Sequence, residues 1–369
     1  MKVIADNTIP YLKGIAETFA DVTYLSSEEF IPRNIKGADV LIVRSIDKCT
    51  REVLEGSGVK LIVSATIGYD HIDTAYCEEA GIAWRNAPGS NAASVAHYVL
   101  ASLVSLSLRE GISLKGKTIG IVGVGHVGTE VERLCSAYGM NTLLNDPPRA
   151  AAEGETGFVS LRTIAGEADM ITFHVPLTDK GNYPTRHLAG ESFFSMIKRR
   201  PWIINSSRGA VHDTKALLKA KREGCIGKLI IDCWEGEPEI SKELLSVAAI
   251  ATPHIAGFSA DGKANATRMC LENMEAFFGI EIKGKDNVRP SRPDSPVIDL
   301  AMFPDHRLER AILTTFDPTT VDAALRKDPE QFELFRAHYN HPREFPAYRI
   351  ENAMSKERDV AGRLGFRFL

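Results

Sequence analysis

The sequence predicts an α/β fold: two parallel-sheet domains followed by a small carboxyl-terminal unit. Three observations carry this expectation. Short apolar runs alternate with helical stretches, as in parallel sheets covered by helices. The runs fall into two groups, one before Asn91 and one after Lys117. In the second group a glycine-rich turn joins a strand to a helix.

Taken in order, the strand candidates are 40–43, 60–63, 118–122, 141–144, 170–173, 202–204 and 228–231. Residues 92–108 and 128–138 read as helices. Residues 86–108 lack Asp, Glu, Lys and Arg but contain Pro88, Gly89, His97 and five serines, so they read as a loop and a buried helix, not a bilayer span. Near residue 285 the pattern changes. Pro290, Pro293 and Pro296 predict an extended linker, and 317–327 and 329–339 read as helices beyond it. Residues 285–369 are thus expected to form a third, small unit.

Composition narrows the function. With 44% hydrophobic and 25% charged residues in 369, disorder and collagen-like structure are excluded. A net charge of −4 gives no general attraction to nucleic acid or an anionic membrane. The amino terminus shows no secretion signal, and the six cysteines form no CxxC pair. The expectation is a cytoplasmic enzyme with reduced thiols.

The turn is Gly123-Val124-Gly125-His126-Val127-Gly128. In such a loop the first glycine permits the tight turn, the second lets backbone approach a pyrophosphate, and the third lets helix pack on strand. Phosphates would meet the unpaired N–H groups of a helix start. The next strand leads to Asp146, a carboxylate suited to both ribose hydroxyls of NAD and repellent to the 2′-phosphate of NADP. Arg149 nearby could blunt that preference.

Three more segments each follow a strand: Asn205-Ser206-Ser207-Arg208-Gly209, Asp232-Cys233-Trp234-Glu235-Gly236-Glu237, and Thr252-Pro253-His254-Ile255-Ala256-Gly257. Together they offer an arginine, a carboxylate and a histidine. Oxidising a 2-hydroxy acid needs all three. A guanidinium fork holds the substrate carboxylate. An imidazole takes the hydroxyl proton, and a carboxylate behind it orients the ring and stabilises its protonated form.

Loop, Arg208, Glu237 and His254, in this order and spacing, resemble the D-isomer-specific 2-hydroxyacid dehydrogenases over about residues 1–285. The resemblance implies two flavodoxin- or Rossmann-like domains, with an NAD-binding domain (94–257) inserted into a substrate-binding domain (1–93 and 258–284). It implies His254 as base, Glu237 as its supporting acid and Arg208 as substrate-binding arginine. Gly123, Gly125, His126, Val127, Gly128, Asp146, Ser206, Ser207, Arg208, Asp232 and Gly257 fall at NAD positions, and Ser45 and Thr66 at substrate positions. Two positions depart from the family pattern. Val175 stands where a threonine often contacts the cofactor, and Phe258 where a tyrosine often meets the substrate. Residues 144–149, 234–238, 332–339 and 343–345 are similar to a branch that acts on a phosphorylated 2-hydroxy acid. That branch carries an extra α+β dimerisation domain, here residues 285–369, so a homodimer is expected. A dehydrogenase for another acid such as 3-phosphoglycerate, or an NAD(H)-sensing corepressor-like module, stays open.

Other residues read more plainly. Asp70-His71-Ile72-Asp73 suits a capped helix start better than a metal site, and no metal is expected. Arg44 is evenly balanced between a surface pair and an anion hook. His97 is expected to be buried and structural, and Cys233 is not expected to act as a nucleophile.

Overall fold

The computed structural model describes all 369 residues. They divide into two compact units: Met1–Asn91 with Ala260–Ser291, and Ala92–Ser259 with Arg292–Leu369.

The first unit holds a five-stranded parallel sheet: β1 (Lys2–Asp6), β2 (Asp21–Leu25), β3 (Val40–Val43), β4 (Leu61–Ser64) and β5 (Ala83–Arg85). The order is β2-β1-β3-β4-β5, the flavodoxin-type arrangement. β3 and β4 are buried along their whole length, as expected of central parallel strands covered on both faces. On one face the long helix Ala260–Phe278 lays Ala264, Leu271 and Met274 against Val3, Val40 and Val63. β2 is an edge strand with alternating exposure, and β5 has only three residues.

The second unit holds β6 (Thr118–Val122), β7 (Asn141–Asn145), β8 (Met170–Phe173), β9 (Trp202–Asn205), β10 (Leu229–Ile231) and β11 (Ile250–Ala251), all parallel, in the order β11-β10-β9-β8-β6-β7. Beyond β7, one isolated bridge, Leu144 to Phe158, stands where a further edge strand would pair. β6 therefore lies between β7 and β8, the point where the winding reverses and where ligands of such sheets bind. The helix Ala92–Glu110 is long and apolar enough by length and composition to cross a membrane, but 83% of its apolar window is buried inside the protein. It packs with the helix His126–Tyr138 in the largest core.

Residues 292–369 do not stand apart from this unit. They form a small parallel sheet of β12 (Val297–Asp299), β13 (Arg349–Glu351) and β14 (Arg367–Phe368), with helices around it. Ile298, Leu308, Ile312, Phe345, Ile350 and Leu364 belong to the same core cluster as Val99, Leu103 and Val131. Polar ties reinforce the contact. His97 Nε2 lies 2.8 Å from Thr315 Oγ1, and Asp322 accepts the Ala251 N–H at 2.7 Å, covering the edge of β11. The expected third unit is thus fused to the core of the second. The helix expected over 329–339 is also broken. A 3-10 turn, Pro329–Gln331, precedes a short helix, Phe332–Ala337. Phe332 is buried and Tyr339 half-buried, so much of this segment's apolar surface is covered by its own chain.

Candidate active site

In the glycine loop two positions leave no room for a side chain and one stays open. Gly123 has φ 89°, and a Cβ there would lie 2.6 Å from the His174 carbonyl oxygen. A Cβ on Gly128 would lie 2.0 Å from the Gly123 carbonyl oxygen, so helix and strand meet too closely for any side chain. A Cβ on Gly125 would meet nothing within 4 Å. That open side, at the start of the helix His126–Tyr138, is where a pyrophosphate can approach the backbone. His126 is exposed, and Val127 is half-buried. Val175, at the end of β8, lies directly beside Gly123.

Asp146 caps the helix Pro147–Glu153 by accepting the Arg149 N–H at 3.1 Å. Its other oxygen accepts the Val124 N–H of the glycine loop at 2.8 Å. The Arg149 guanidinium donates to the Val124 carbonyl and pairs with Glu153 through two hydrogen bonds of 2.8 and 2.7 Å. The cation that could have attracted a 2′-phosphate is already engaged with a carboxylate.

Arg208, Glu237 and His254 follow β9, β10 and β11, at adjacent carboxyl ends of one sheet. His254 Nδ1 is 2.5 Å from Glu237 Oε1, and Glu237 Oε2 accepts the Trp234 N–H at 3.0 Å. Burial pushes the Glu237 carboxyl up, but the His254 hydrogen bond and charge, the Trp234 N–H and the Arg336 charge hold it below the usual carboxylate range. Since the ionised Glu237 only accepts, Nδ1 carries the hydrogen of this bond. His254 itself has φ 55°, a left-handed backbone that is rare outside glycine and concentrated at functional sites.

The support for this geometry was not visible in the sequence. Asp232 is wholly buried. One of its oxygens accepts the Thr252 hydroxyl at 2.7 Å and the Ile255 N–H at 2.8 Å, and the other accepts the Ala256 N–H at 3.0 Å. Its backbone carbonyl accepts the His254 N–H at 2.8 Å. Asn205 does the same for the arginine turn. Its amide donates to the Arg208 carbonyl at 2.8 Å, and its oxygen accepts the Ser207 N–H and hydroxyl. A Cβ on Gly209 would lie 1.9 Å from the Trp234 carbonyl oxygen, so the arginine and glutamate loops touch backbone to backbone. Only the polarity of Asn205 and Thr252 at strand ends could have hinted at these roles.

The donor set fits a dinucleotide. Gly125 offers an open cradle, and the buried Ser206 Oγ has no partner within the protein. Gly257 and Phe258 are half-buried at the end of the histidine loop. Burial pushes the Cys233 thiol far above its ordinary range, which is not the setting of a nucleophile.

In the first unit, Ser45 and Thr66 follow the adjacent strands β3 and β4. Ser45 is exposed, and Thr66 donates to the Gly68 carbonyl at 2.9 Å. Arg44 is paired: its Nε contacts Asp6 Oδ1 at 3.2 Å. Asp73 caps the helix Thr74–Ala80 by accepting the Tyr76 N–H. Burial lowers the neighbouring His71 to about 4, so its ring is neutral.

The family described as D-isomer specific 2-hydroxyacid dehydrogenase, NAD binding domain, matches residues 85–256. The chain is 53% identical over 367 residues to the erythronate-4-phosphate dehydrogenase of Porphyromonas gingivalis, covering 99% of this chain and all of that one. The chain belongs to the erythronate-4-phosphate dehydrogenases, a branch of the D-isomer-specific 2-hydroxyacid dehydrogenases. The Bacteroides fragilis member is 48% identical over 95% of this chain and 99% of its own. A solved structure, the NAD+-bound 3-phosphoglycerate dehydrogenase of Entamoeba histolytica, is 26% identical with a TM-score of 0.64, and covers 77% of this chain and 97% of its own. The enzyme is an NAD-dependent oxidoreductase of this family.

Two predictions follow from the buried carboxylates. Asp232→Asn places an amide hydrogen against an N–H that needs an acceptor. We expect a loss of roughly 1–3 kcal/mol in unfolding stability and a fall in kcat on the order of 10²-fold as His254 shifts. Thermal melts and steady-state rates check this, and unchanged values in both would refute the role.

The second concerns Asp47, which is fully buried and accepts the Arg44 N–H at 2.6 Å. Burial, then the charge of Asp6, pushes its carboxyl up to about 6. Asp6 Oδ2 and Asp47 Oδ1 both lack partners, and one proton between them would satisfy both. A carboxyl raised in the folded state costs stability once ionised. The cost is absent below the unfolded value of about 3.9 and complete above about 6. Asp47→Asn mimics the protonated form. Denaturant melts should show it more stable than the parent by roughly 1–3 kcal/mol near pH 8, with the gap closing near pH 4. A gap independent of pH would overturn the shared proton.

Proposed function

We propose that the enzyme oxidises 4-phospho-D-erythronate to (R)-3-hydroxy-2-oxo-4-phosphooxybutanoate, a step in pyridoxal 5′-phosphate (vitamin B6) synthesis in the cytoplasm. The hydrogen-bonded His254–Glu237 pair supports the reaction class. The near full-length identity to enzymes named for this substrate supports its identity. Six free thiols suit a reducing compartment.

NAD, when bound, accepts the C2 hydrogen with its electron pair. The chain's own residues do the rest. Backbone N–H groups of Gly125, His126 and Val127, at the start of the helix His126–Tyr138, would hold the pyrophosphate, while those of Gly123 and Val124 are spent on Asn145 and Asp146. Asp146 accepts the ribose hydroxyls. Val175, the Ser206-Ser207-Arg208 turn, Asp232 and Gly257 line the rest of the cofactor's path. Arg208 holds the substrate carboxylate and polarises the C2 oxygen. His254 Nε2 takes the C2 hydroxyl proton, while Glu237 holds the ring and stabilises its charge. Ser45, Thr66 and Phe258 contact the substrate, with Arg44 kept in place by Asp6.

Steady-state kinetics with NAD test this, with 3-phosphoglycerate as comparator. We expect kcat/KM for 4-phospho-D-erythronate to exceed that for 3-phosphoglycerate by on the order of 10²-fold or more. Equal or reversed values would sink the substrate assignment. His254→Ala should cost about 10²–10⁴ in rate while NAD binding, followed by calorimetry, persists.

A homodimer is part of the same reading. Met302, Leu334 and Met354 of the carboxyl-terminal segment are 76%, 50% and 58% exposed, apolar surface that a two-fold contact would cover. Light scattering on the full chain should give about twice 40.5 kDa, and a monomer at micromolar concentration would overturn it.

A further inference from the structure

Arg336 is a partly buried cation with no close carboxylate partner. It lies in the helix Phe332–Ala337, one turn after Phe332. Residues four apart share a helix face, and Phe332 is buried in the cluster that contains Trp234, Ile240 and Leu245. The guanidinium therefore faces the protein. Its carbon lies 5.5 Å from the Phe258 ring centre, and its charge contributes to lowering Glu237. Its Nε is buried without a hydrogen-bond partner, and its one ion pair, to Glu333, is a loose 3.7 Å.

Arg326, ten residues earlier, shows what a structural arginine does here. It donates to the Leu245 and Ala248 carbonyls at 2.6 and 2.7 Å and pairs with both oxygens of Asp322. A guanidinium has five N–H donors, and leaving them idle in a partly buried place is costly unless an anion arrives. Arg336 has no such carbonyls or carboxylate on its fork and lies beside Phe258, with its charge felt at Glu237.

We propose that Arg336 binds the distal phosphate of the substrate, so that the carboxyl-terminal segment supplies the specificity for a phosphorylated acid. This rests on the function proposed above. The substrate has two anionic ends. Arg208 takes the carboxylate next to the reacting carbon, and Arg44 is paired with Asp6, so the phosphate still calls for a cation. A planar fork suits phosphate oxygens in pairs. Stacking on Phe258 fixes the fork's direction, which gives the ring a use at a position where a hydroxyl is missing.

The test uses the full chain with Arg336→Gln and Arg336→Lys. KM and kcat are measured for 4-phospho-D-erythronate and for D-erythronate, and the inhibition constant for inorganic phosphate is measured beside them. Arg336→Gln should raise KM for the phosphorylated acid by about 10–100-fold with kcat within a few-fold. It should weaken phosphate inhibition in parallel and erode the preference for the phosphorylated acid by the same factor. Arg336→Lys should lie between, and it carries the test if the glutamine variant fails to fold. An equal loss on both acids would overturn the proposal and make Arg336 a positioning residue acting through Glu237. An unchanged KM with unchanged phosphate inhibition would also overturn it. If the wild type turns over neither acid, the substrate reading fails, and calorimetry of inorganic phosphate on parent and variant still decides whether Arg336 binds the anion.

Discussion

The site depends on one buried carboxylate. Asp232 sits at the end of β10 and ties down the loop after β11 through a hydroxyl, two N–H groups and its own carbonyl. Burial raises this carboxyl above its ordinary range, and the donated bonds offset part of that cost. The result is a histidine held in a left-handed backbone beside its carboxylate partner. Trp234 closes the arrangement from the loop after β10: its N–H binds Glu237, and its indole donates to the Thr252 carbonyl at 2.9 Å. Glu237 and His254 are thus aligned by backbone on both sides, before any ligand is considered. Tyr98, from the long buried helix, adds a 2.7 Å contact to the Thr252 hydroxyl and links the loop to the core.

What was legible in the sequence follows from this division of labour. Arg208, Glu237, His254 and the three glycines were readable because their chemistry is in the residue itself, and their order matched a known spacing. The residues that aim them were not. Asn205, Thr252 and Asp232 act on partners up to 24 positions away, through contacts that exist only after the sheet has formed. Among the strands, β3, β4 and β6 announced themselves as apolar runs. β2 and β5 did not, because edge strands keep alternate residues in water, and β11 is only two residues long. β1 was a missed apolar run: Val3, Ile4 and Ala5 are all buried.

The carboxyl-terminal segment shows a different limit. A unit this small offers little core of its own for its aromatic residues. The partner for Phe332, Phe345 and Phe366 is largely the chain's own second unit. Local pattern tells that a face must be covered and not by what. The same fusion explains why the helix expected over 329–339 is short: it ends where Tyr339 and His341 turn onto Phe258 and the histidine loop.

The glycine loop is braced in a similarly indirect way. Asp146 is more than a charge at the end of a strand. Its carboxylate holds the Val124 N–H, while Arg149 holds the carbonyl of the same residue. One residue of the glycine loop is therefore gripped on both of its peptide groups, and the position of Asp146 and the shape of the loop are coupled. Glu153 completes the device by engaging Arg149 with two hydrogen bonds. An arginine three residues after the acid would by itself favour a 2′-phosphate. Drawn onto a carboxylate and a carbonyl, it instead stiffens the loop and leaves the Asp146 carboxylate without an ion pair from Arg149.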